Sequence, residues 1–480
     1  GLEGEGGNGA PLTYGVDVSD MFNLTQRYAV AALYFAVGGE DWEGRMAYMV
    51  PGIHVCGWNA EVENYGMDFP FKGAFCLGDG RTVDDVTLPD GGLAGTLPEE
   101  VGLLTSVSFL GLWRNEIGGT LPRSLGRMEG LEYLELYENS FEGSIPTELG
   151  QATSLRSIYL DKNALTGTIP SELGGLESLE SLFLYKNGLT GTIPPSVGDM
   201  LLLRQLFLDE NELVGLIPTS IGRLNRLEEL WLASNELTGA IPDSVNELTS
   251  LESLNLERNN LIGSMPFETD SLSKLQYLWL RDNQVTGTLP PAVFTFPDLV
   301  SIDIGSNSVS GTLPNDVAAV ASLEVLDVGN NNLGGTLPSS VTDLEGLFLL
   351  SLWGNNFGST LPQTLGDLTM LEYLYLHENA FSGMLPASLE SLKKLMHLRV
   401  ESNLFSGVLP HKIGEMANLT TLDISKNSFT GNVSFVCSNS QLTLFLSDCY
   451  DDPPEVLCSC CTACCSDSEV GPYLGCFLPG

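Results

Sequence analysis

The stretch GLEYLELYENSFEGSIP, from Gly130 to Pro146, decides the fold because its pattern returns at every step of 24 residues. Proline recurs in step from Pro98 to Pro410, and glycine recurs from Gly95 to Gly431 with one replacement, Ser359. Asparagine holds its place in fourteen consecutive steps, at Asn115, Asn139, Asn163, Asn187, Asn211, Asn235, Asn259, Asn283, Asn307, Asn331, Asn355, Asn379, Asn403 and Asn427. A fixed period without insertions predicts a stack of similar coils rather than a set of separate globular domains.

Each step predicts one coil with a short strand. Leu134 and Leu136 alternate along the chain, so a strand with a period of two sends both side chains inward and its other residues outward. Asn139 turns the chain, and we expect its buried amide to bond backbone groups of neighbouring coils. Gly143 permits a tight bend, and Pro146 prevents a long helix on the return path. One coil cannot bury its own leucines, so each depends on its neighbours and both ends must be sealed.

The repeated pattern, LxxLxLxxNxLxGxIP, resembles the plant-type leucine-rich repeat, and the resemblance covers residues from about 83 to 433. It implies an α/β-type leucine-rich-repeat solenoid with a parallel β-sheet on the concave face and short strands, turns and 3-10 segments on the convex side. It also implies a helical N-terminal cap and a Cys-rich C-terminal cap. We therefore expect an N-terminal segment and disulfide-bonded cap at 1–82, the solenoid at 83–433 and a C-terminal cap at 434–480. Gly91 in place of Asn, and Ser434 in place of Pro, mark the terminal coils.

The N-terminal segment contains an Ala-rich run, residues 26–37, that predicts a helix ending at Gly38. It resembles the helical cap of plant-type repeat proteins, in which a Trp and a CxWxGxxC motif follow the helix. The corresponding pieces here are Trp42, CGW at 56–58 and GAFC at 73–76. The resemblance implies a disulfide between the first and last cysteines, Cys56 and Cys76. The spacing between Trp58 and Gly73 is much longer than in the motif, and we interpret this insertion as a candidate functional loop.

The charge of the chain restricts its partners. Asp and Glu number 61 and Lys and Arg 21, giving a formal net charge of -40. This balance excludes nucleic acid, whose phosphates need clustered bases, and disfavours anionic membranes. No run of about 18 apolar residues occurs, so the sequence predicts no membrane insertion. The chain begins at Gly1 and lacks a basic segment followed by an apolar run, so we expect any signal peptide to have been removed or left out.

The cysteines lie at the two ends, at Cys56, Cys76, Cys437, Cys449, Cys458, Cys460, Cys461, Cys464, Cys465 and Cys476. An even number flanking a thiol-free body predicts disulfides in an oxidising compartment, and hence a secreted or cell-surface location. The CxxC spacing from Cys461 to Cys464 also suits zinc or copper, but the segment has no His, which favours disulfides. Sequons at Asn23, Asn418 and Asn432 predict a glycoprotein if the route is eukaryotic.

Catalytic motifs are absent from the sequence: it has no GxSxG, HExxH, GxxxxGK[ST] or kinase signature, and we predict that the protein is not an enzyme and carries no cofactor. The histidines are few and dispersed, at His54, His377, His397 and His411. We interpret them as solvated surface residues. Neighbouring acids such as Glu228 and Glu229 imitate a glycosidase pair, but such pairs are expected in a chain this acidic.

The outward strand positions are rich in aromatic residues. They lie seven, six, four, two and one residues before each repeat Asn, and these 70 positions hold 15 of the 40 aromatic residues and four of the six Trp. Strands favour aromatics for structural reasons, but exposed aromatic rows are also typical of interfaces. We predict ligand binding by Trp113, Tyr133, Tyr137, Tyr159, Phe183, Tyr185, Phe207, Trp231, Tyr277 and Trp279. A second group, Trp353, Tyr373 and Tyr375, follows after a polar stretch near Asp303 and Asp327.

The same 70 positions carry 19 acids and 9 bases, which favours a cationic or neutral partner, or an anionic one bridged by calcium. The alternative is that the acids serve solubility alone. We predict an extracellular recognition or adhesion protein that binds a glycan or protein ligand on the concave face. Similar repeats occur in plant receptor ectodomains and in secreted inhibitors of wall-degrading glycosidases, and the two end segments resemble those of algal or protist surface proteins. The alternative is a structural subunit of an extracellular fibre, wall or matrix that self-associates head to tail into polymers.

Overall fold

A computed structural model describes residues 18–38, 59–61, 71–76, 82–269, 271–449, 456–465 and 476–477. The chain divides into two compact units, Gly1–Leu165 and Thr166–Gly480. Trp42, His54, Cys56 and Trp58 lie outside the described residues, so the predictions made for them stay predictions.

A single α-helix, Val18–Ala36, is described at the N-terminal end of the first unit. The sequence-based start at residue 26 was wrong by eight residues, because neither Gly nor Pro interrupts the chain between Val18 and the Ala-rich run. Ala29 and Leu33 on one side of the helix are buried. Within the described ranges, no helix has the length and apolar character needed to cross a bilayer.

The helix seals the apolar end of the first coil through hydrogen bonds as well as packing. The Gln26 amide donates from Nε2 to Ser106 Oγ at 2.8 Å, and its Oε1 accepts the Val83 N–H at 3.2 Å. The Ala94 N–H donates to the Val37 carbonyl at 3.2 Å. This bond joins the residue after the helix to the strand Ala94–Thr96. These contacts give the helix the capping role that the resemblance implied.

The LxL segments form the strands of the first sheet. In the first unit these are Val83–Thr87, Phe109–Gly111, Tyr133–Glu135 and Ser157–Tyr159, preceded by the antiparallel strands Asn59–Glu61 and Phe71–Cys76. In the second unit they are Ser181–Phe183, Gln205–Phe207, Glu229–Trp231, Ser253–Asn255, Tyr277–Trp279, Ser301–Asp303, Val325–Asp327, Leu349–Ser351, Tyr373–Tyr375, His397–Arg399, Thr421–Asp423, Leu444–Ser447, Ala463–Cys465 and Cys476–Phe477. Consecutive repeat strands pair in parallel with the central residues in register, as in Leu206 opposite Leu230. Parallel pairing continues beyond residue 433, where Leu422 lies opposite Phe445.

The NxLxG segments that follow each repeat Asn form a second layer of strands, which divides into a nine-stranded sheet that ends at Gln284–Thr286 and a six-stranded sheet that begins at Ser310–Thr312. Its strands up to residue 168 are Ala94–Thr96, Glu116–Thr120, Ser140–Gly143 and Ala164–Thr168, the last of which falls on both sides of the division between the units. The second unit adds Gly188–Gly191, Glu212–Gly215, Glu236–Ala240, Asn260–Ser264, Gln284–Thr286, Ser310–Thr312, Asn332–Thr336, Asn356–Ser359, Ala380–Gly383, Leu404–Gly407 and Ser428–Phe429, and a separate pair, Gly431–Asn432 with Val456–Leu457. Short 3-10 helices such as Glu99–Leu103 and Thr147–Gln151 follow the prolines and complete the coils.

The repeat Asn side chains form the predicted ladder. Asn139 donates from Nδ2 to the carbonyls of Leu112 at 2.9 Å and Leu136 at 3.1 Å, and its Oδ1 accepts the Ile117 N–H at 3.1 Å. The same bonds recur in the second unit, for example at Asn355. Each amide therefore satisfies backbone groups of its own coil and of the preceding one, which a buried bend would otherwise leave unpaired.

The core combines the predicted leucines with a stack of phenylalanines that the sequence analysis did not single out. Two residues after the repeat Asn, Phe357, Phe381, Phe405 and Phe429 are fully buried and stack at centroid distances of 5.9, 6.1 and 6.1 Å. Stacked rings on successive coils fix the spacing between those coils and add to the apolar area that they bury.

Disulfides tie together the Cys-rich segment. They join Cys437 to Cys460, Cys449 to Cys464 and Cys458 to Cys461. Cys76 and Cys465 are also disulfide-bonded. The two cysteines of the CxxC spacing belong to different disulfides, so their thiolates are not free to hold zinc or copper. Because Cys56 is not described, its bond to Cys76 stays a prediction.

Candidate functional site

The candidate site is the outer surface of the first sheet, which we call the strand face. It consists of the side chains six, four and two residues before each repeat Asn, because the residues between them point into the core. Most of the predicted aromatic residues are half-buried there, and Tyr133 is exposed. We take the strand face of each unit by itself.

In the first unit, two ring pairs lie side by side. Tyr133 packs on Phe109 at a centroid distance of 5.9 Å, and Tyr137 stacks on Trp113 at 5.8 Å with 11° between the ring planes. Tyr159 is half-buried at the end of its strand. The predicted residues of this unit thus lie on the strand face, but they are not equally accessible.

Trp113 is only 4% exposed, so the expectation that its ring is exposed was wrong, and its part in ligand binding stays a prediction. The reason is Gly111, two residues earlier on the same face. A Cβ at Gly111 would lie 2.4 Å from the six-membered ring of Trp113, so the indole lies flat over the space that the missing side chain leaves. Trp113 therefore packs against Tyr137 on the adjacent coil and has little contact with solvent.

Partly buried carboxyl groups accompany these rings. Burial raises the pKa of Glu135 to about 7, with further contributions from the charges of Asp161 and Asp85. Burial likewise raises the pKa of Asp85 to about 6, against the hydrogen bond from Thr87. Burial is also the largest cause that raises the pKa of Tyr137, to about 12. This part of the face is therefore less negative near neutral pH than its sequence suggests.

In the second unit, stacked rings form what we call the aromatic row, Phe183, Phe207, Trp231 and Trp279. Phe207 stacks on Phe183 at 4.3 Å and on Trp231 at 4.7 Å, with ring planes 9° and 15° apart. Trp279 meets Trp231 edge-on at 6.4 Å, across the coil of the smaller Asn255. The predicted residues of this unit therefore form one continuous cluster.

Two tyrosines flank the aromatic row. Tyr185 contacts Phe207 edge-on at 6.4 Å, and Tyr277 packs against Trp279 at 5.3 Å. Hydrogen bonds hold the indoles in place, since Trp231 Nε1 donates to Ser253 Oγ at 3.1 Å and Trp279 Nε1 donates to Ser301 Oγ at 3.0 Å. Each bond joins neighbouring coils and fixes the tilt of the ring, so the row is preorganised.

An ion cluster follows the aromatic row. Arg281 Nη1 lies 3.2 Å from Asp303 Oδ2 and 2.8 Å from Asp327 Oδ2. The Gly305 N–H donates to Asp303 Oδ1 and the Gly329 N–H to Asp327 Oδ1, at 2.9 and 2.8 Å. Burial raises the pKa of Asp303, assisted by the charge of Asp327. The polar stretch predicted near these two aspartates is therefore organised around one guanidinium, which the sequence analysis did not identify.

The second aromatic group contains histidines that the sequence analysis underrated. Trp353 stacks on His377 at 5.3 Å with 6° between the planes, and Tyr373 stacks on His397 at 5.1 Å. His377 is only 7% exposed, so its interpretation as a solvated surface residue was wrong. Rings on neighbouring coils cover it, and burial together with the charge of Arg399 lowers its pKa to about 3.

Beside this group lies a buried cluster of Arg399, Glu401 and Asp423. The Arg399 guanidinium contacts Glu401 Oε1 through Nη2, and Asp423 Oδ1 accepts the Ser425 N–H at 3.1 Å and its hydroxyl at 2.6 Å. Burial raises the pKa of Glu401 to about 8, and the nearby Asp423 charge adds to the effect. Trp353, His377 and Glu401 form a column on successive coils, since they follow one another at steps of 24 residues. Comparing residues at this step in the sequence could have found the column.

A cavity of about 300 Å³ lies in the first unit at the 3-10 helices, away from the strand face. Its carboxylates are already engaged: Glu99 accepts the N–H groups of Arg123 and Ser124, and Glu148 pairs with the Arg123 side chain. We therefore do not assign it a ligand. In the part of the chain that the structure describes, no group of three His, Cys, Asp or Glu side chains is placed to hold a metal ion.

Family models described as leucine-rich repeat match residues 201–261 and 321–381, and residues 130–152, 154–176, 178–200 and 274–296. No curated protein matches the chain. Among solved structures, the ectodomain of the Arabidopsis thaliana receptor kinase GASSHO1/SCHENGEN3, in complex with CASPARIAN STRIP INTEGRITY FACTOR 2, is 29% identical over 80% of this chain, with a TM-score of 0.69. This chain spans 50% of that ectodomain.

Two further solved structures are similar. A leucine-rich-repeat protein of Leptospira interrogans is 30% identical, with 74% of this chain and 88% of that chain covered and a TM-score of 0.59. A plant ice-binding protein is 25% identical, with 61% and 89% covered and a TM-score of 0.51.

Proposed function

Because the chain belongs to the leucine-rich-repeat family, we propose that it is an extracellular recognition protein that binds a peptide or protein segment on the strand face. The observation that carries the proposal is the aromatic row, in which Phe183, Phe207 and Trp231 stack without a break and stay half exposed. Large aromatic side chains held in fixed positions are the usual anchors of protein interfaces. The similar Arabidopsis ectodomain, solved in complex with CASPARIAN STRIP INTEGRITY FACTOR 2, supports the same class of ligand.

The stacking geometry favours a peptide over a glycan. Phe207 has Phe183 on one face and Trp231 on the other, at 4.3 and 4.7 Å, so both faces of the ring are covered. A sugar ring stacks on an exposed aromatic face, whereas Phe207 offers only its edge. Ring edges carry the positive part of the quadrupole and suit carbonyl oxygens and apolar side chains. A peptide presents both groups at intervals similar to those between coils.

Localisation outside the cell follows from the same proposal. Disulfides join six cysteines of the Cys-rich segment, and such bonds persist in oxidising compartments. The strand face is rigid because its residues belong to a hydrogen-bonded sheet, so binding does not have to order the protein. The proposal assigns the protein binding rather than catalysis.

Selection from a random-peptide display library on the intact protein would test the proposal. We expect selected peptides to lose at least tenfold in affinity for Phe207→Ala and for Trp231→Ala, with little loss for the exposed-surface control Glu236→Ala. Phe207→Leu keeps apolar bulk and controls for packing. The proposal would be overturned if the selected peptides bound both aromatic variants with unchanged affinity. It would also be overturned if a glycan array yielded specific binders while the peptide library yielded none. Filaments of the native protein in electron microscopy would instead favour the structural-subunit alternative.

One observation beside the strands that follow the repeat Asn favours a second candidate function. Five residues after the repeat Asn, Thr288, Thr312, Thr336 and Thr360 are exposed on successive coils. A Cβ on Gly311, on the next coil, would lie 2.9 Å from the Thr288 methyl, and the same relation recurs with the glycines that follow Thr312 and Thr360. The methyl groups of Thr288, Thr312 and Thr360 thus pack on a glycine, while Ser359 takes that place beside Thr336. This packing holds the threonines in one orientation at a spacing of about 4.8 Å.

A regular, rigid array of methyl and hydroxyl groups suits an ordered solid such as an ice surface, and the similarity to a plant ice-binding protein supports this candidate. Growth of ice crystals in the presence of the purified protein tests it. We expect inhibition of recrystallisation, and its loss in Thr312→Lys but not in Asn332→Lys on the same sheet. Unchanged crystal growth with the native protein would remove this candidate and leave peptide recognition untouched.

A further inference from the structure

We propose that Trp353, Tyr375, His377 and Glu401 form a subsite of the strand face that takes a cationic side chain, an ammonium or a guanidinium, from the ligand. The inference rests on the proposed peptide recognition and goes beyond the aromatic row, which lies several coils away. It assigns a chemical class to one position of the ligand.

Two buried polar atoms point to a ligand here. His377 and Glu401 each stand two residues before a repeat Asn, on adjacent coils that are joined by the Glu378 N–H bond to the Glu401 carbonyl at 2.9 Å. Both residues are 7% exposed. His377 Nδ1 and Glu401 Oε2 have no hydrogen-bond partner among the described residues. An unpaired buried polar atom lowers the free energy of unfolding by about 1–3 kcal/mol. Two such atoms in one column are therefore expected where a bound partner forms the hydrogen bonds that they lack.

The charges of the cluster select a cation. Two carboxyl groups, Glu401 and Asp423, lie near the Arg399 guanidinium, which pairs with Oε1 of Glu401. Asp423 Oδ1 accepts two hydrogen bonds from Ser425, whereas Glu401 Oε2 accepts none from the described residues. We therefore place the missing positive charge at Glu401 Oε2. A bound proton supplies it in the free protein, because burial raises the pKa of Glu401 to about 8. A ligand cation takes the place of that proton and leaves the net charge unchanged.

The remaining groups around Glu401 support this exchange. Burial lowers the pKa of His377 to about 3, so the imidazole is neutral and does not repel a cation. Burial raises the pKa of Asp423, and the charge of Lys426 offsets a small part of this effect. Burial also raises the pKa of Tyr375, so its phenol is neutral as well. Arg399 is thus the charged group beside the ligand cation, and it pairs with Oε1 of Glu401 while Oε2 takes the ligand.

Aromatic rings line the same position. Trp353 stacks on His377, and Tyr375 meets His377 edge-on at 6.2 Å. Trp353 therefore holds the imidazole of His377 in place, and the nearby Tyr375 ring adds electrostatic attraction for a cation. The Glu401 side chain is 9% exposed and that of Arg399 is 25% exposed, so the carboxyl lies just below the surface.

Titration calorimetry with a pair of tripeptides tests the inference. The probes are acetyl-Gly-Arg-Gly-amide and the same peptide with citrulline, which keeps the shape of Arg but has no charge. We expect the arginine peptide to bind at least tenfold more tightly. At pH 7, in two buffers of different protonation enthalpy, we expect close to one proton released per peptide bound, since a group with a pKa of about 8 is mostly protonated there.

Glu401→Gln keeps the shape and removes the titration, so we expect it to abolish both proton release and the preference for arginine. The matched control is Glu378→Gln, which removes the same charge from an exposed residue of the neighbouring coil. Equal binding of the two peptides, or equal effects of the two substitutions, would overturn the inference. A shift of the His377 ring resonance on adding the arginine peptide to the unsubstituted protein gives a readout that does not depend on a variant. Phe207→Ala should leave all these results unchanged, so the inference and the proposed function can fail separately.

Discussion

Arg281 bonds Asp327, which lies two coils further along the second unit, with 2.8 Å between Nη1 and Oδ2. Its guanidinium passes over Gly305, where a Cβ would lie 2.9 Å from the same nitrogen. The side chains of Asp303 and Asp327 are 19% and 14% exposed, so little water replaces the guanidinium if it is lost. The cluster therefore holds three neighbouring coils together through a single charge.

We expect Arg281→Gln to lower the free energy of unfolding by about 1–3 kcal/mol at pH 7, because two partly buried carboxylates lose their counter-charge. The loss should shrink on acidification, because burial raises the pKa of Asp303 above its ordinary value and protonation of Asp303 removes one of the unpaired charges. Urea unfolding at pH 7 and at a more acidic pH measures it. Arg258→Gln is the control, since Arg258 is 71% exposed and 3.9 Å from Asp282, a pairing worth less than about 1 kcal/mol. Equal losses for the two variants would contradict the role of burial.

The raised pKa of Glu135 predicts a pH dependence of stability in the first unit. Its folded pKa is about 7 and its ordinary value 4.5, so between these values the folded state holds a proton that the unfolded state has lost. The contribution of the protonated Glu135 side chain to the free energy of unfolding is complete below pH 4.5, and it is lost as the pH rises through about 7. We expect Glu135→Gln to be more stable than the unsubstituted protein at pH 8, by on the order of 1 kcal/mol, and similar at pH 4.5.

Unfolding curves at pH 4.5 and pH 8 measure this difference. Glu142→Gln removes the same charge from an exposed side chain of the same unit and serves as the control. If both variants gain equally at pH 8, relief of the general negative charge explains the result and the burial of Glu135 does not.

The sequence predicted the architecture well because the repeat encodes it locally. Leu134, Asn139 and Pro146 act within one coil or with the adjacent coil, so their spacing specifies strand, turn and return path without knowledge of distant residues. Accessibility on the strand face was harder to predict. Trp113 is buried because its neighbour is Gly111, and no property of the Trp itself reveals this. The glycines of the face matter as much as its aromatics, since each one decides where a nearby large side chain lies.

The buried polar column was missed for a different reason. His377 and Glu401 look like surface residues one at a time, and each belongs to a type that is normally exposed. Their burial follows from the rings and the guanidinium on neighbouring coils, which act across steps of 24 residues. Reading the sequence by column rather than along the chain places Trp353, His377 and Glu401 together and would have marked the cluster.

The Asn ladder predicts a large effect for a small substitution. Asn355 donates from Nδ2 to the carbonyls of Val328 and Leu352, at 2.9 and 3.1 Å, and accepts the Leu333 N–H at 2.9 Å. Asn355→Ala leaves these buried backbone groups unpaired, and we expect a loss of about 3 kcal/mol in the free energy of unfolding. The adjacent Asn356 is exposed, so Asn356→Ala should cost less than about 0.5 kcal/mol. Chemical denaturation compares the two, and similar costs would mean that the ladder is not a main source of stability.

The three sequons differ in how the fold presents them. Asn23 lies within the helix Val18–Ala36, and Asn418 already donates from Nδ2 to the Lys393 carbonyl at 2.8 Å. Asn432 is exposed, and its Oδ1 accepts the Ser434 N–H at 2.8 Å, which leaves Nδ2, the atom that carries a glycan, directed away from that bond. Glycan acceptors are typically exposed positions outside helices. We therefore expect Asn432 to carry the highest occupancy when the protein is secreted from a eukaryotic cell.

Mass spectrometry of tryptic peptides before and after enzymatic deglycosylation measures the occupancy of each sequon. Asn432→Gln should remove most of the glycan mass, while Asn23→Gln and Asn418→Gln should remove little. Because Asn432 is exposed, its substitution should leave the urea unfolding midpoint unchanged, which separates loss of the glycan from loss of the fold. Higher occupancy at Asn23 would show that modification precedes formation of the helix, and the folded geometry would then not govern which sequon is used.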